Sequence, residues 1–248
     1  MTKGPDPRYN HKRKFGLTLA ELEELSREER EEFAREHSKP VFYFKSESRE
    51  CRAAAEEAVL SAAPRGHDLA ALNGVNVGAG ARPVSKFLTA VDLKRAHKKN
   101  QATGSFLAPM MPLPFKPNVV DYIVSLHSLE HIPNPVQVVM HWLYMIKPGG
   151  GIGLILPDWR YSWDARNDKG VWGHKWNSEP KVLKNMYERH FQDHCDLEAL
   201  DTYDWKISFD VVLRKRGDFV PFDSAAYLVE DSGKKMNDEG RFVSDLYQ

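Results

Sequence analysis

A glycine-containing segment and a nearby carboxylate could together hold a nucleoside-type ligand. Gly78 to Gly80 follow a short apolar run at residues 75–77, and Asp92 closes the next apolar run. Glycines after a buried strand let the backbone approach a ligand closely, and an acid at the end of the second strand can accept hydrogen bonds from both ribose hydroxyls. The spacing favours a nucleoside cofactor site, although a glycine pair alone is equally typical of an ordinary tight turn.

The stretch from Pro157 to Asn177 has the composition of a binding surface for a polar molecule. It contains four of the six tryptophans of the chain, interspersed with aspartates, arginines and a histidine. Aromatic rings supply apolar walls, and charged groups supply oriented hydrogen bonds. We therefore expect substrate contacts from Asp158, Trp159, Arg160, Tyr161 and Trp176. The alternative is a lid whose tryptophans only pack on the domain.

Several strand-length apolar runs must position these residues. Four of them cover Val75 and Val77, Ala90 and Val91, Val119 to Leu126, and Ile152 to Leu156. Helical spacing from Pro135 to Ile146, ended by Lys147-Pro148-Gly149-Gly150, completes a β-α-β unit, and Trp205 to Val212 is a late strand. Parallel units followed by late strands predict an α/β fold with an open, doubly wound sheet.

The first 66 residues have a different character. A polar arm of about 16 residues precedes capping boxes at Thr18 and Ser26, and a helix is expected from about Ser46 to Ala62. We therefore expect a helical N-terminal extension over residues 1–66. The main domain then covers residues 67–248, with a substrate-loop insertion at about 157–190.

Composition excludes several classes of protein. The 35 basic residues balance the 35 acidic residues, so no global positive field exists to hold a nucleic acid. No apolar run approaches the roughly 18 residues of a membrane span. Cys51 and Cys195 are too few for a disulfide framework and fit a reducing compartment. We expect a cytoplasmic protein that contacts neither nucleic acid nor membrane.

The order of the motifs resembles that of class I S-adenosylmethionine-dependent methyltransferases of the small-molecule type. The succession is Leu113-Pro114-Phe115, the strand ending at Leu126, Leu129-Glu130-His131, and then Lys147 to Gly150. The resemblance implies a Rossmann-like sheet of seven strands, six parallel and the last antiparallel, with a hairpin over about Leu197 to Leu213. It also implies S-adenosyl-L-methionine as cofactor and an N-terminal extension that covers the active site.

The resemblance also implies a set of cofactor contacts. The Gly78 to Gly80 turn would lie beneath the methionine part of the cofactor, Asp92 would bind the ribose, and Leu93 would lie along the adenine. Leu126 and His127 would line the methyl-bearing sulfur. The full expected set is Val77, Gly78, Ala79, Gly80, Asp92, Leu93, Ala108, Leu126 and His127, with Ala108 acting through its backbone amide. The link between the first two strands is shorter than the usual helix of the family.

Methyl transfer requires a group that accepts a proton from the acceptor molecule. The enzyme must otherwise only align donor and acceptor and exclude water. Histidine titrates near neutral pH and is the natural base. The candidate catalytic residues are His127, His131, His174 and Tyr161, and for each histidine an ordinary structural role is the competing interpretation.

Two histidine patterns raise the question of a metal ion. His127, Glu130 and His131 spell the H-x-x-E-H of certain zinc peptidases, but Pro133 and Pro135 preclude the long helix which that site needs. His190 and His194 stand four residues apart beside Asp193 and Cys195, and such pairs arise often by chance. We therefore expect no metal.

The expected function is an S-adenosylmethionine-dependent methyltransferase acting on an oxygen or nitrogen of a small polar metabolite, such as a sugar-bearing or heterocyclic natural product. One alternative is a non-catalytic S-adenosylmethionine-binding protein. The other is an RNA methyltransferase that uses the basic cluster at Lys94, Arg95, Lys98 and Lys99, which would make RNA binding strongly salt-dependent. The metabolite, the acceptor atom, a requirement for a divalent metal, the general base and the oligomeric state stay open at this stage.

Overall fold

The computed structural model describes residues 25–26, 29, 32, 49–80, 83–92, 106–107, 113, 115–159, 165–166, 173–203, 208–218, 220 and 247. Its helices are α1 (Arg49–Leu60), α2 (Pro135–Met145) and α3 (Pro180–Met186), the last continued by a π-helical turn over Tyr187–Phe191. Its strands are β1 (Gly74–Val77), β2 (Leu88–Asp92), β3 (Phe106–Leu107), β4 (Val120–Leu126), β5 (Ile146–Pro157), β6 (Cys195–Tyr203) and β7 (Ser208–Lys215).

The strands form one mixed sheet in the order β3-β2-β1-β4-β5-β7-β6. Strands β1 to β5 pair in parallel, whereas β7 is antiparallel to both β5 and β6. Six strands have four to twelve residues, and β3 is a two-residue strand at one edge. The chain moves outward from β1 and then returns to β4 on the other side, which creates the crevice where open α/β sheets bind ligands. The expected Rossmann-like α/β arrangement is confirmed.

Strand β5 begins earlier than the sequence predicts. The residues Lys147 to Gly150, expected to end a helix, lie within β5, and helix α2 ends at Met145. Gly149 has a φ of 77°, and the pairing with β4 shifts register between Val120 and Tyr122. A bulge therefore absorbs the glycine-rich segment, and the strand continues through it.

The glycines of β5 form the surface on which α1 packs. A Cβ atom on Gly153 would lie 2.3 Å from the carbonyl oxygen of Val59, and one on Gly151 would lie 2.8 Å from that of Ala62. Only glycine permits a helix backbone to approach a strand this closely. The small residues of α1 and the glycines of β5 are thus two sides of one contact.

Arg214 on β7 fixes the C-terminal end of α1. Its Nη1 donates to the carbonyl oxygens of Ala62 (2.7 Å) and Ala63 (3.2 Å), and its Nη2 donates to that of Ser61 (2.8 Å). Carbonyls at a helix end lack intrahelical partners and carry partial negative charge, so a guanidinium there is stabilising. Helix α1 and the residues that follow it therefore contact β5 and β7 directly.

Of the two predicted capping boxes, one falls on described residues. The Ser26 backbone N–H donates to Glu29 Oε2 at 2.8 Å, and the Glu29 N–H donates to Ser26 Oγ at 3.3 Å. These are the two reciprocal hydrogen bonds of a capping box. Thr18 and the polar arm lie outside the described residues.

Helix α2 covers the opposite face of the sheet and contains a buried histidine. His141 is 3% exposed, and its Nε2 accepts a hydrogen bond from the Leu113 N–H at 2.8 Å. Burial lowers the pKa of His141 from 6.5 to about 4 because the charged imidazolium loses its hydration. The neutral imidazole is therefore the form that the fold accommodates.

We expect Gly153→Ala to lower the free energy of unfolding by about 1–3 kcal/mol, because the added methyl group must displace the backbone of α1. Urea unfolding of the two proteins measures this difference. The matched control is Gly217→Ala, since a Cβ atom there meets nothing within 4 Å. Equal losses of unfolding free energy in both variants would contradict the close packing of α1 on the glycines of β5.

The buried His141 also predicts a pH dependence of stability. Between pH 6.5 and about 4 the unfolded chain binds the proton more readily than the folded chain, so stability falls as the pH falls through this window. The loss attributable to this residue is about 2–3 kcal/mol between pH 7 and 4.5. His141→Gln keeps an acceptor for the Leu113 N–H and is expected to lose that part of the slope. Urea unfolding of both proteins across this pH range checks the prediction; parallel curves would contradict it.

Candidate active site

The glycine turn after β1 is held against the end of β2. Gly78 and Gly80 have φ values of 67° and 59°, in the left-handed region that favours glycine. The Gly78 and Ala79 N–H groups both donate to the Val91 carbonyl, at 2.8 and 3.2 Å. The Gly80 N–H donates to Asp92 Oδ2 at 2.8 Å. The sequence predicted that the glycine turn and the Asp92 carboxylate lie together. In the structure they are joined by a hydrogen bond at the carboxyl ends of β1 and β2.

Asn76 braces this turn from inside the sheet. Its side chain is buried, its Nδ2 donates to the Val124 carbonyl at 3.3 Å, and its Oδ1 accepts from the Val84 N–H at 2.8 Å. The amide thereby links β1, β4 and the segment that leads into β2, where residues 83–87 form turns. Sequence reasoning missed this role, although a polar residue between Val75 and Val77 in a buried strand is its visible signal.

The end of β4 is tied to both neighbouring parts of the site. His127 has a φ of 48°, its N–H donates to the Ile155 carbonyl at 2.9 Å, and its Nε2 lies 2.8 Å from Ser208 Oγ. Ser128 Oγ donates to the carbonyl oxygen of Gly78 at 3.3 Å. A left-handed conformation costs a non-glycine residue free energy, and these hydrogen bonds hold it in place. The segment after β4 therefore lies beside the glycine turn.

Three histidines surround one carboxylate near the end of β4. We call His127, Glu130, His131 and His174 the histidine–glutamate cluster. Glu130 Oε1 lies 3.7 Å from His127 Nδ1, 3.6 Å from His131 Nε2 and 3.9 Å from His174 Nε2. The Glu130 side chain is 1% exposed, whereas His131 is 36% exposed. All three predicted catalytic histidines are thus brought to one buried acid.

Glu130 was not predicted as a site residue. It belongs to the Leu129-Glu130-His131 motif, and it lies in a single 3-10 turn over Leu129–His131 with its side chain pointing inward. Its burial depends on chain segments distant in sequence, so no local pattern announces it. A carboxylate with no water around it requires nearby polar groups or cations, and this requirement makes Glu130 the centre of the cluster.

Backbone hydrogen bonds hold the segment that follows β5 against this site. The Lys175 N–H donates to the Glu130 carbonyl at 2.8 Å, and the Trp159 N–H donates to the Ser178 carbonyl at 2.9 Å. Ser178 Oγ donates to the Pro157 carbonyl at 2.5 Å. The described ends of the predicted substrate loop therefore form an anchored base, from which His174 reaches the cluster.

The predicted substrate residues occupy different positions. Trp176 is fully buried, packs in the main core and donates its indole N–H to the Leu129 carbonyl at 3.2 Å. In this arrangement Trp176 offers no surface to a substrate. The alternative interpretation, in which the tryptophan packs on the domain, explains its position. Asp158 is also buried, whereas Trp159 is partly exposed. Arg160 and Tyr161 lie outside the described residues, as do Leu93 and Ala108 among the cofactor predictions.

Among the described residues, His190, Asp193, His194 and Cys195 do not converge as a group of possible metal ligands. His190 Nε2 lies 3.1 Å from Tyr247 Oη, and burial lowers the pKa of this histidine. The Cys195 thiol is buried and donates to the Phe191 carbonyl, and burial raises the pKa of this thiol to about 12. A thiol that stays protonated is a poor metal ligand.

The fold and the glycine turn define a Rossmann-like cofactor-binding sheet, and comparison with protein families specifies it further. Residues 68–154 match the profile of the family described as "Methyltransferase domain". This range runs from the residue before the 3-10 turn at Leu69–Ala71 into β5, so it includes the glycine turn, Asp92 and Glu130. The match covers 87 of the 248 residues and indicates a methyltransferase domain over this part of the chain. Comparison with curated proteins gives no match.

Solved structures of methyltransferases share part of the fold. An S-adenosylmethionine-dependent methyltransferase from Mesorhizobium loti is 16% identical, with 66% of this chain and 100% of that chain covered and a TM-score of 0.48. One from Aquifex aeolicus is 11% identical, with coverages of 74% and 97% and a TM-score of 0.44. The 1,6-didemethyltoxoflavin-N1-methyltransferase of Burkholderia thailandensis, solved with S-adenosylhomocysteine, is 13% identical, with coverages of 67% and 79% and a TM-score of 0.48. At these scores no conclusion on activity follows from them.

Within the described part of the chain, none of the helices combines the length and the apolar character of a membrane span.

The buried position of Trp176 predicts a structural phenotype. Trp176→Phe keeps an aromatic ring but removes the hydrogen bond to Leu129, so we expect the free energy of unfolding to fall by about 1–3 kcal/mol. Urea unfolding of the wild type and the variant measures this loss. Unchanged stability would contradict the structural role of Trp176.

Proposed function

We propose that the protein is an S-adenosylmethionine-dependent methyltransferase that methylates an oxygen or nitrogen of a small polar metabolite, such as a sugar-bearing or heterocyclic natural product. The observation that carries this proposal is the hydrogen bond between the glycine turn and the Asp92 carboxylate. The two lie where parallel strands β1 and β2 end, next to the point at which the strand order reverses. This is where an open α/β sheet binds a nucleoside cofactor.

The cofactor contacts follow from this placement. Asp92 Oδ2 accepts the Gly80 N–H, and a carboxylate retains further acceptor sites for ribose hydroxyls. The Gly78 to Gly80 turn and Val77 would receive the methionine part, while Leu126 and His127 would flank the sulfur. Leu93 and the Ala108 amide remain the proposed adenine contacts.

The acceptor would lie on the side of the histidine–glutamate cluster. Ser128 joins this segment to the glycine turn, so the cluster is close to the expected position of the sulfonium. Its histidines can align a hydroxyl or amine and take up its proton, which is the protein's main chemical task in methyl transfer. His131 is the cluster member most open to solvent, and Tyr161 is a further candidate from the loop.

Charge and loop composition favour a small molecule as the acceptor. Equal numbers of acidic and basic residues provide no overall attraction for RNA. The segment that follows β5 is rich in tryptophans and charged residues, a composition that suits a polar ring system. A free, buried Cys195 agrees with a cytoplasmic location.

The test is calorimetric titration with S-adenosylmethionine and S-adenosylhomocysteine of the wild type, Asp92→Asn and Asp196→Asn. Asparagine keeps an acceptor for the Gly80 N–H but removes the charge that strengthens hydrogen bonds to the ribose. Charged hydrogen bonds contribute about 1.5–3 kcal/mol each, so we expect Asp92→Asn to weaken both ligands about 10- to 100-fold.

Asp196→Asn is the matched control, because Asp196 on β6 pairs with Arg216, the residue after β7, away from the glycine turn. Its cofactor affinity is expected to stay within about twofold of wild type. Absence of binding to the wild type would overturn the proposed function. Binding with product formation from a panel of sugar and heterocyclic acceptors separates an enzyme from a non-catalytic binding protein.

A further inference from the structure

Three residues of the histidine–glutamate cluster have the arrangement of metal ligands. One ligand atom from each of Glu130, His131 and His174 lies within 4.8 Å of the other two. Two ligands at 2.0–2.2 Å from a shared zinc-like ion are separated by about 3.3–3.6 Å. The observed separations from Glu130 Oε1 are 3.6 and 3.9 Å, beyond hydrogen-bonding distance but close to this range.

From this geometry we propose that Glu130, His131 and His174 bind a divalent first-row transition-metal ion. Two imidazole nitrogens and one carboxylate oxygen suit zinc, iron(II), cobalt(II) or manganese(II) better than calcium or magnesium, which prefer oxygen ligands. Sequence reasoning led us to expect no metal, because it judged the histidine patterns by their local spacing and did not place His174 beside Glu130.

The electrostatics of the cluster favour a cation. The Glu130 side chain is 1% exposed and that of His174 is 7% exposed, so an ionised carboxylate here has lost nearly all of its hydration. Burial of a carboxylate is costly unless positive charge or hydrogen bonds compensate it. A divalent ion bound to neutral imidazoles and this carboxylate would supply that charge.

The ligand positions are fixed by the backbone around them. Glu130 and His131 belong to one 3-10 turn, the Glu130 carbonyl accepts the Lys175 N–H, and the neighbouring Trp176 indole donates to Leu129. His174 is thus held opposite Glu130 by the contacts of the two residues that follow it, Lys175 and Trp176. Such support from surrounding hydrogen bonds is what a metal site of defined geometry needs.

The site differs from the helical zinc-peptidase arrangement that shares its letters. His127 has a left-handed backbone, and its Nε2 lies within hydrogen-bonding distance of Ser208, so the two histidines of the motif are not on one helix. His174 takes the place of the second helical histidine. Three protein ligands leave coordination positions open, as in catalytic rather than structural sites.

The role of the ion rests on the proposed function. Its open positions would face the acceptor side, and an acceptor hydroxyl bound there would have a lowered pKa. The hydroxyl proton would leave to solvent, the oxygen would form the new O–C bond as the S–C bond breaks, and the sulfonium would become a neutral thioether. An oxygen rather than a nitrogen is then the methylated atom.

The experiment is a titration of chelator-treated full-length protein with cobalt(II), followed by its visible absorption, with zinc(II) as the competitor. We expect saturation at one equivalent and displacement by zinc. Glu130→Gln and His131→Gln are expected to weaken cobalt affinity by about tenfold or more. His190→Gln, which alters the histidine beside Tyr247, is the matched control and is expected to leave the affinity unchanged.

Circular dichroism and S-adenosylhomocysteine binding establish that each variant is folded. His131 is the most solvent-exposed of the three proposed ligands, so we expect His131→Gln to perturb folding least. Absence of saturable cobalt binding, or equal affinity in wild type and both ligand variants, would overturn the metal site. The cofactor titrations are independent of this result. Cobalt binding without cofactor binding would support the metal site and contradict the proposed function. Cofactor binding without cobalt binding would support the proposed function and contradict the metal site.

Discussion

The short strand β1 is the element on which the two halves of the sheet depend, and the buried amide of Asn76 fixes its end. Four residues pair with β2 on one side and β4 on the other. The Asn76 side chain bonds to β4 and to the segment entering β2, so the glycine turn emerges from a rigid base. A polar side chain at such a site must have its partners satisfied, and its satisfaction specifies the local geometry.

The polar interactions at the two edges of the sheet differ in kind. At the amino ends of the strands, Lys215 donates to Asn118 Oδ1 and to the Ile146 carbonyl, and burial lowers the pKa of this lysine. Lys147 pairs with Asp121 at 2.7 Å. Each cation there has a defined structural partner. At the carboxyl ends, the glycine turn meets Asp92, and the histidine–glutamate cluster brings three imidazoles to within 3.9 Å of one carboxylate.

Sequence predicted those parts of the structure that short-range patterns encode. Apolar runs bounded by glycine and proline located β1, β2, β4 and β5, and the glycine turn with Asp92 followed from them. The sequence also led to His127, His131 and His174 as separate candidates. It could not place Glu130 among them, because the position of His174 depends on the Lys175–Glu130 backbone contact, which joins residues 45 positions apart in the chain. It also assigned the glycines after Lys147 to a helix end, since their contact with α1 is a tertiary one.

The seat of α1 has a consequence for the order in which the chain assembles. The helix is made before any strand, yet its partners are the glycines of β5 and Arg214 on β7, which are synthesised far later. Contacts of this sequence separation close large loops and form late in folding. The apolar face of α1 must therefore wait, uncovered, until the C-terminal hairpin exists. Helix α1, which precedes every described strand, is thus the last layer of the sheet to be completed, and translation of the final strands governs when the domain closes.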